Sequence, residues 1–299
     1  MKALGESAFA ARLPSALAAV ALLALLYAVL ERRMGRGAGG LGVLLTASSA
    51  FFYVVAGSVA VDMMLCCCVA GSLLAYYAFA FEEDPARRGP WSLAVFAFLG
   101  LGLLAKGPVA LVLFGLPVLL WTARWRAWRL LRDHRWVAGG LLLAGLTLPC
   151  YALCERENPG FLKYFLINEN LLRFVTHDYG DAYGTGHQYP RGTALAMFVG
   201  ATAPWSLYVA WRAFRDRAFA RSLRPRDSAA WFLAAGFAAG TLFWCLARQL
   251  LVTYLLPMVP LFAAWLVWVT RGQAGVWLRL RRAAMLLLLA MSVAALACG

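Results

Sequence analysis

The sequence predicts an all-α integral membrane protein that crosses the bilayer about ten times as a single transmembrane domain, residues 1–299. Of its residues, 63% are hydrophobic, and the mean hydropathy is +0.71. Only 14% are charged, well below the roughly 25% that is usual in soluble domains. Ten apolar runs approach or exceed the length that crosses a bilayer as a helix. These runs are 13–30, 41–61, 63–81, 91–105, 108–122, 136–154, 192–211, 229–247, 252–270 and 283–298.

The distribution of positive charge predicts the orientation of these helices. The formal net charge of +14 is large enough to raise nucleic acid as a partner. The Lys and Arg residues are concentrated in alternate connections, however, with twenty on one side of the membrane and six in the connections of the other. Lys and Arg stay preferentially on the cytoplasmic side. We therefore predict that the segment 154–191 faces outward and that nucleic acid is not a partner.

The segment 154–191 is the longest polar interval in the chain. Its first half carries aromatic and aliphatic residues at three- and four-residue steps, which predicts an amphipathic helix lying on the membrane surface. Its second half contains several glycines and Pro190 and is predicted to be a loop, where Tyr183 and His187 offer rings and hydrogen bonds to a ligand. Long loops of this kind are often functional. A solvated connector is the alternative interpretation.

Two isolated charges mark other outward turns. Asp62 is the only acidic residue between Glu31 and Glu82. A carboxylate beside lipid is costly, so Asp62 is expected to be paired or liganded at a wet interface, or else to be a solvated turn residue. Lys106 precedes Gly107-Pro108, where a long apolar stretch must turn back. Its ammonium is expected to hold a lipid phosphate or to extend to the headgroups.

These charged turns are all predicted on one side of the membrane, together with the turn that contains Arg248. A secondary transporter would place ionisable groups near the bilayer midplane, and none of the ten runs has one there. A carboxylate and several cations at one face instead suit glycosyl transfer from a phosphate leaving group. The sequence therefore favours an enzyme. Channels and scaffold proteins are the alternatives that these residues leave open.

Short motifs in a fixed order resemble the phospholipid-carrier-dependent glycosyltransferases, which include protein O-mannosyltransferases and the aminoarabinose transferase that acts on lipid A. The motifs are GESAFAARLPSAL, the Asp62-Met turn, LLAKGPVAL, NPGFLKYFLINENLLRF, DAYGTGHQYPRGT, APWSL and TYLLPMVP. The resemblance implies a type C glycosyltransferase fold with juxtamembrane helices, in the inner membrane of a bacterium. It also implies a polyprenyl-phosphate-linked sugar donor, inversion at the anomeric carbon, and a lipid, glycan or protein acceptor.

The resemblance further implies a site. It assigns the carrier phosphate to Lys106, Arg248 and Tyr254. By the family pattern Asp62 is a second carboxylate, and it is the candidate catalytic carboxylate of this chain because the family's usual catalytic Asp has no counterpart in the sequence. Asp62 and Glu169 are expected to shape the headgroup cavity. The full set of predicted carrier-binding and substrate-binding residues is Lys106, Arg248, Tyr254, Glu169, Arg173, Tyr183 and His187.

The chain departs from the family pattern in two places. Family members resembling Asn168-Glu169 usually continue with His, where this chain has Asn170. A divalent metal site built on that His would lack the ligand, and His177 and His187 are its possible substitutes. No cofactor is therefore firmly predicted, and a divalent metal stays open as an alternative. Family members also usually begin with a further span and an outer loop that carries the catalytic Asp. We therefore expect a membrane glycosyltransferase of this family, or an N-terminally truncated copy of one, that transfers sugar poorly or not at all. The alternative is a non-catalytic membrane protein that binds polyprenyl phosphates or scaffolds an assembly.

Overall fold

The computed structural model describes residues 7–175 and 188–298, and regular structure in these ranges is helical. Seven of the helices are long and apolar enough to cross a membrane, and the number rises to nine if each of two bent helix pairs is one span. The polytopic all-α class is therefore confirmed, and the predicted number of about ten is approximate. All ten predicted runs coincide with helices. One forms a helix of only 17 residues, and two are bent.

From residue 7 to residue 157 the chain forms eight helices. They are α1 (Ala8–Met34), α2 (Ala38–Ala47), α3 (Ala50–Ala56), α4 (Val61–Ala80), α5 (Pro85–Lys106), α6 (Val109–Trp125), α7 (Trp128–Arg132) and α8 (Trp136–Glu157). The predicted run 41–61 is divided into α2 and α3, which meet at 77°. The predicted turn at Gly107-Pro108 separates α5 from α6, as expected from residues that end and start helices well.

The described residues of the second half contain eight further α-helices, one π-helix and one 3₁₀-helix. They are α9 (Phe161–Lys163), the π-helix (Tyr164–Leu172), α10 (Arg173–Val175), α11 (Thr193–Ala201), α12 (Trp205–Arg215), α13 (Arg217–Ser222), α14 (Ser228–Cys245), the 3₁₀-helix (Val252–Leu255), α15 (Met258–Val269) and α16 (Ala274–Cys298). The predicted amphipathic helix after residue 160 is present, but its middle is π-helical. The run 192–211 bends by 99° between α11 and α12.

The centre of the bundle is formed by α4 and α15, most of whose residues are buried. Helix α4 packs against α1 and α5, and α14 packs against α6 and α15. Helices α8 and α16 bury little of their apolar surface and lie at the periphery. An apolar surface of this kind faces the acyl chains in a membrane protein, because lipid and leucine are equally apolar.

A buried carboxylate fixes the end of α1 against the end of α4. Glu82 Oε2 accepts hydrogen bonds from Arg32 Nη2 at 2.9 Å and from Arg33 Nη2 at 2.7 Å. Burial raises the pKa of the Glu82 carboxyl, but Arg33, the backbone N–H of Asp84 and Arg32 together outweigh burial and hold the pKa below its ordinary value. This cluster stays charged at neutral pH and ties the two helix ends together.

Candidate functional site

A cavity of about 330 Å³ lies where α5 and α14 end. Its walls come from these two helix ends, the start of α6, the π-helix with α10, and the 3₁₀-helix. Most of its lining is apolar. We call it the Lys106 cavity, and it is lined by Lys106, Pro108, Val109, Val112, Phe165, Glu169, Asn170, Leu171, Arg173, Phe174, Phe243, Trp244, Gln249 and Tyr254.

Lys106 is the last residue of α5, and its ammonium is held from two sides. Its Nζ donates a hydrogen bond to Oδ1 of Asp62. The same atom lies 3.8 Å from the centroid of the Tyr254 ring, well inside the distance at which a ring face attracts a cation. The side chains of Lys106 and Asp62 are 27% and 16% exposed, so water screens the pair only partly. The ammonium is therefore fixed at the cavity wall.

Asp62 lies in the first turn of α4, which begins at Val61. The alternative prediction that Asp62 is a solvated turn residue is therefore wrong, because the turn ends before α4 starts. A carboxylate in the first helical turn is stabilised by the positive end of the helix dipole. Asp62 is not among the described residues that line the Lys106 cavity. Its contact with the site is the hydrogen bond that its carboxylate accepts from Lys106.

Glu169 and Arg173 reach the cavity from the juxtamembrane helix. Tyr164 donates its hydroxyl proton to Glu169 Oε1 at 2.8 Å, and Arg173 Nη1 donates to Glu169 Oε2 at 2.8 Å. Residues five apart share a face in a π-helix, whose hydrogen bonds run from i to i+5. In an α-helix they would be turned about 140° from each other. The π-helix thus allows one carboxylate to accept from both neighbours.

Gly107 lets the juxtamembrane helix approach the end of α5. Its backbone has φ 73° and ψ −154°, a region that glycine alone adopts readily. A Cβ at this position would lie 2.9 Å from Asn170 Nδ2 and 2.9 Å from Phe165 Cε1. Asn170 in turn donates to the Phe165 carbonyl oxygen at 2.8 Å. The residue that replaces the family's usual His therefore packs at a point of close contact.

The Arg248 turn contributes less than the sequence suggested. The backbone N–H of Arg248 donates to the Phe174 carbonyl oxygen at 3.2 Å. The side chain of Arg248, however, is not part of the described lining of the Lys106 cavity. The neighbouring Gln249 is buried and lines the cavity. Tyr254 lines it as well, with its ring 4.7 Å from that of Trp244.

Several lining residues were not predicted, namely Gln249 and an aromatic group in which Phe174 stacks on Phe243 at 4.6 Å. The only sequence signal for this group is the abundance of aromatic residues at two helix ends.

Two predicted residues, Tyr183 and His187, lie outside the described residues, and so does His177. Within 7–175 and 188–298, no group of three or more His, Cys, Asp or Glu side chains is arranged to hold a metal ion. The structure therefore brings together Asp62, Lys106 and Tyr254 by direct contact. It places Glu169 and Arg173 on the same cavity wall.

Comparison with known proteins supplies a family. Residues 1–151 match the family model described as dolichyl-phosphate-mannose-protein mannosyltransferase. The undecaprenyl phosphate-alpha-4-amino-4-deoxy-L-arabinose arabinosyl transferase of Pseudomonas aeruginosa (strain UCBPP-PA14) is 31% identical over 270 residues, which are 86% of this chain and 45% of that protein. The undecaprenyl phosphate-alpha-4-amino-4-deoxy-L-arabinose arabinosyl transferase 1 of Pseudomonas fluorescens (strain Pf0-1) is 29% identical over 185 residues, which are 61% of this chain and 30% of that protein.

A solved structure has the same fold. The crystal structure of ArnT from Cupriavidus metallidurans bound to undecaprenyl phosphate superposes with a TM-score of 0.77 and 23% identity, covering 91% of this chain and 48% of that one. The apo state of the same protein gives a TM-score of 0.73. The chain thus spans about half the length of ArnT, and 45% or less of the two curated relatives described above. By the match over residues 1–151, the chain belongs to the dolichyl-phosphate-mannose-protein mannosyltransferase family.

Proposed function

We propose that this chain is a membrane glycosyltransferase that takes a sugar from a polyprenyl-phosphate carrier and transfers it to a lipid, glycan or protein. One observation carries the proposal: the Lys106 ammonium is held by Asp62 and Tyr254 at the wall of a largely apolar cavity that also presents Arg173. Family membership supports the class of reaction. The names of the relatives, which specify an undecaprenyl phosphate sugar, support the class of carrier.

The cavity suits a ligand with an anionic head and an apolar tail. Lys106 offers a point charge and Arg173 a planar guanidinium, the two cations that proteins use for phosphate. Val109, Val112 and Phe174 offer apolar surface to the first part of a prenyl chain. Both cations already have carboxylate partners, so they are held in position before a ligand arrives. Such preorganised charges stabilise an anion without the cost of reorienting.

In the proposed reaction an acceptor atom attacks the anomeric carbon while the bond from that carbon to the phosphate oxygen breaks. The proton of a hydroxyl acceptor passes to water or to the departing phosphate. The configuration at the anomeric carbon inverts, and negative charge develops on the departing polyprenyl phosphate. Lys106 and Arg173 would stabilise this charge. Asp62 is proposed as a positioning residue for Lys106, since its carboxylate is paired with the ammonium and is not part of the described cavity lining. Glu169 would hold Arg173 in the same way.

We propose the outer face of a bacterial inner membrane as the location of this reaction. The excess of Lys and Arg in the connections at the other end of the bundle supports this orientation. Lys106 ends α5, and the basic residues Arg87 and Arg88 lie in the first turn of the same helix. The cavity and the basic connections are therefore separated by the length of a spanning helix.

Turnover is the test. The purified chain, residues 1–299, would be incubated with a panel of polyprenyl-phosphate sugars, and released polyprenyl phosphate would be quantified. We expect slow but measurable turnover with at least one donor, in keeping with the poor transfer expected from the sequence. The rate for Lys106→Met should be about 10²-fold lower, the effect of losing one group that stabilises a developing anion. Lys163→Met, which removes an exposed lysine of α9, is the matched control and keeps the parent rate. Carrier binding without turnover of any donor would overturn the transferase and favour the non-catalytic binding protein.

A further inference from the structure

A second cavity, of about 370 Å³, lies between the end of α13, the start of α14 and the end of α15. Helix α14 begins here and ends at the Lys106 cavity, and its 18 residues span about 27 Å at 1.5 Å per residue. That is close to the roughly 30 Å thickness of the hydrocarbon core. The two cavities therefore open at opposite membrane faces. We call the second one the arginine cavity, and its charged lining is Arg221, Arg224, Arg226, Asp227 and Arg271.

The arginine cavity carries uncompensated positive charge. Its four arginines face a single carboxylate, which leaves an excess of three positive charges. That carboxylate is already engaged: Asp227 Oδ1 accepts from the Ala230 backbone at 2.8 Å, and Oδ2 accepts from Trp268 Nε1 at 3.2 Å and Arg271 Nη2 at 3.3 Å. Within the described parts of the chain, Arg224 and Arg226 have neither an ion pair nor a side-chain hydrogen bond. Their guanidinium groups are free to bind an anion.

The surroundings of the cavity indicate contact with lipid. Leu207, Trp211 and Phe214 lie at steps of four and three along α12, which places them on one helix face. All three are exposed, Phe214 by 92%, and α12 leads directly into α13. On the other side of the cavity the Arg271 guanidinium lies 3.7 Å from the centroid of the Trp268 ring. Tryptophan beside arginine is typical of the boundary between acyl chains and headgroups.

We propose that the arginine cavity binds the phosphodiester headgroup of an anionic membrane lipid. Clustered guanidiniums match the paired oxygens of a phosphodiester and relieve their own repulsion by binding it. The apolar face of α12 supplies a surface for the acyl chains beside the headgroup. Basic pockets between membrane helices on the cytoplasmic side are suited to such headgroups. This site is separate from the Lys106 cavity and does not depend on the proposed transferase.

The test compares two variants with equal loss of charge. Arg224→Gln/Arg226→Gln removes two unpaired guanidiniums from the cavity. Arg129→Gln/Arg132→Gln is the control, because both arginines are exposed on α7 and outside the cavity. Helix α7 belongs to the same end of the bundle, since Trp121 Nε1 of α6 donates to the Ser228 carbonyl oxygen at the start of α14, at 3.0 Å.

Binding of phosphatidylglycerol to the delipidated, purified chain would be titrated by native mass spectrometry, with phosphatidylcholine, whose zwitterionic headgroup has no net charge, as the reference. We expect one tight phosphatidylglycerol site in the parent and in the control, and about 30-fold weaker binding in the cavity variant, given the attraction of two arginines to an anionic lipid. Equal weakening in both variants would show diffuse surface attraction and overturn the site. Displacement of the lipid by millimolar inorganic phosphate would overturn the lipid as the ligand.

Discussion

The ammonium of Lys106 lies 3.8 Å from the centre of the Tyr254 ring, although the two residues belong to helices far apart in sequence. The contact holds the end of α5 against the 3₁₀-helix that precedes α15. A ring face attracts a cation through its electrostatic field and does not occupy the N–H donors of the ammonium. Lys106 therefore keeps donors for a further anion after pairing with Asp62. This arrangement makes the ammonium the centre of the proposed phosphate site.

Gly107→Ala should destabilise the protein and weaken carrier binding together. Alanine at φ 73° and ψ −154° costs about 1–3 kcal/mol in backbone strain. Its Cβ would also push against Asn170 and Phe165, which carry one wall of the Lys106 cavity. Thermal unfolding in detergent and binding of a polyprenyl phosphate are the measurements.

The control for this change is Gly115→Ala, a glycine inside α6 whose Cβ would meet no atom within 4 Å. It should leave binding unchanged and stabilise the protein by up to about 1 kcal/mol, because alanine favours a helix more than glycine does. If Gly107→Ala were as stable and bound as tightly as Gly115→Ala, the close approach of the juxtamembrane helix to α5 would be wrong.

His134 should make the protein sensitive to acid. Its ring stacks on Phe79 at 4.0 Å and its Nδ1 is 2.8 Å from Ser92 Oγ. Burial lowers its pKa to about 4, against an opposing effect of Asp133. An unfolded chain takes up the proton near the ordinary value of 6.5, so stability is complete above that pH and falls as the pH drops from 6.5 towards 4.

Thermal unfolding at pH 7.5, 6, 5 and 4 would measure this dependence. In His134→Phe, which keeps an aromatic ring in the pocket, the loss of stability between pH 6.5 and 4 should largely disappear. Asp133→Asn is the control and should lose stability in acid as the parent does, because it leaves the buried imidazole in place. If His134→Phe lost as much stability in acid as the parent, groups other than His134 would be the cause of the acid sensitivity.

The sequence predicted the membrane bundle well and the cavity only in part. Apolar length is a local property, so all ten runs coincide with helices. The bends after Ala47 and Ala201, by contrast, depend on how each helix packs against its neighbours. The π-helix was missed for the same reason. Its residues have ordinary α-helical spacing, and only the contact at Gly107 and the pairing at Glu169 distinguish it.

For the residues of the sequence motifs, too, the sequence predicted the position in the chain but not the contacts. Asp62 and Lys106 lie at helix ends, which their isolation among apolar residues indicated. That the two residues contact each other, and that Tyr254 covers the ammonium, depends on long-range packing that no local pattern contains. Arg248 lies near the cavity in the chain, yet its neighbour Gln249 lines the wall.

Cysteine labelling tests the predicted orientation. Glu157 ends α8 and is exposed, and Arg129 is exposed on α7. On a background without native cysteines, Glu157→Cys should react with an impermeant reagent in intact cells, because its connection is poor in Lys and Arg. Arg129→Cys should react only after permeabilisation. The opposite pair of results would invert the orientation and move the Lys106 cavity to the cytoplasmic face.

The proposed site rests most on the binding of a carrier phosphate to Lys106. The direct measurement is the dissociation constant of a polyprenyl phosphate for the parent, for Lys106→Met, and for Lys106→Met/Asp62→Asn, which avoids leaving an unpaired carboxylate. Both variants should bind about 10 to 150 times more weakly, since a hydrogen bond to a charged group is worth about 1.5–3 kcal/mol. Lys163→Met should bind like the parent, and Arg248→Ala should lose less than Lys106→Met. Unchanged affinity in the folded double variant would contradict the phosphate site.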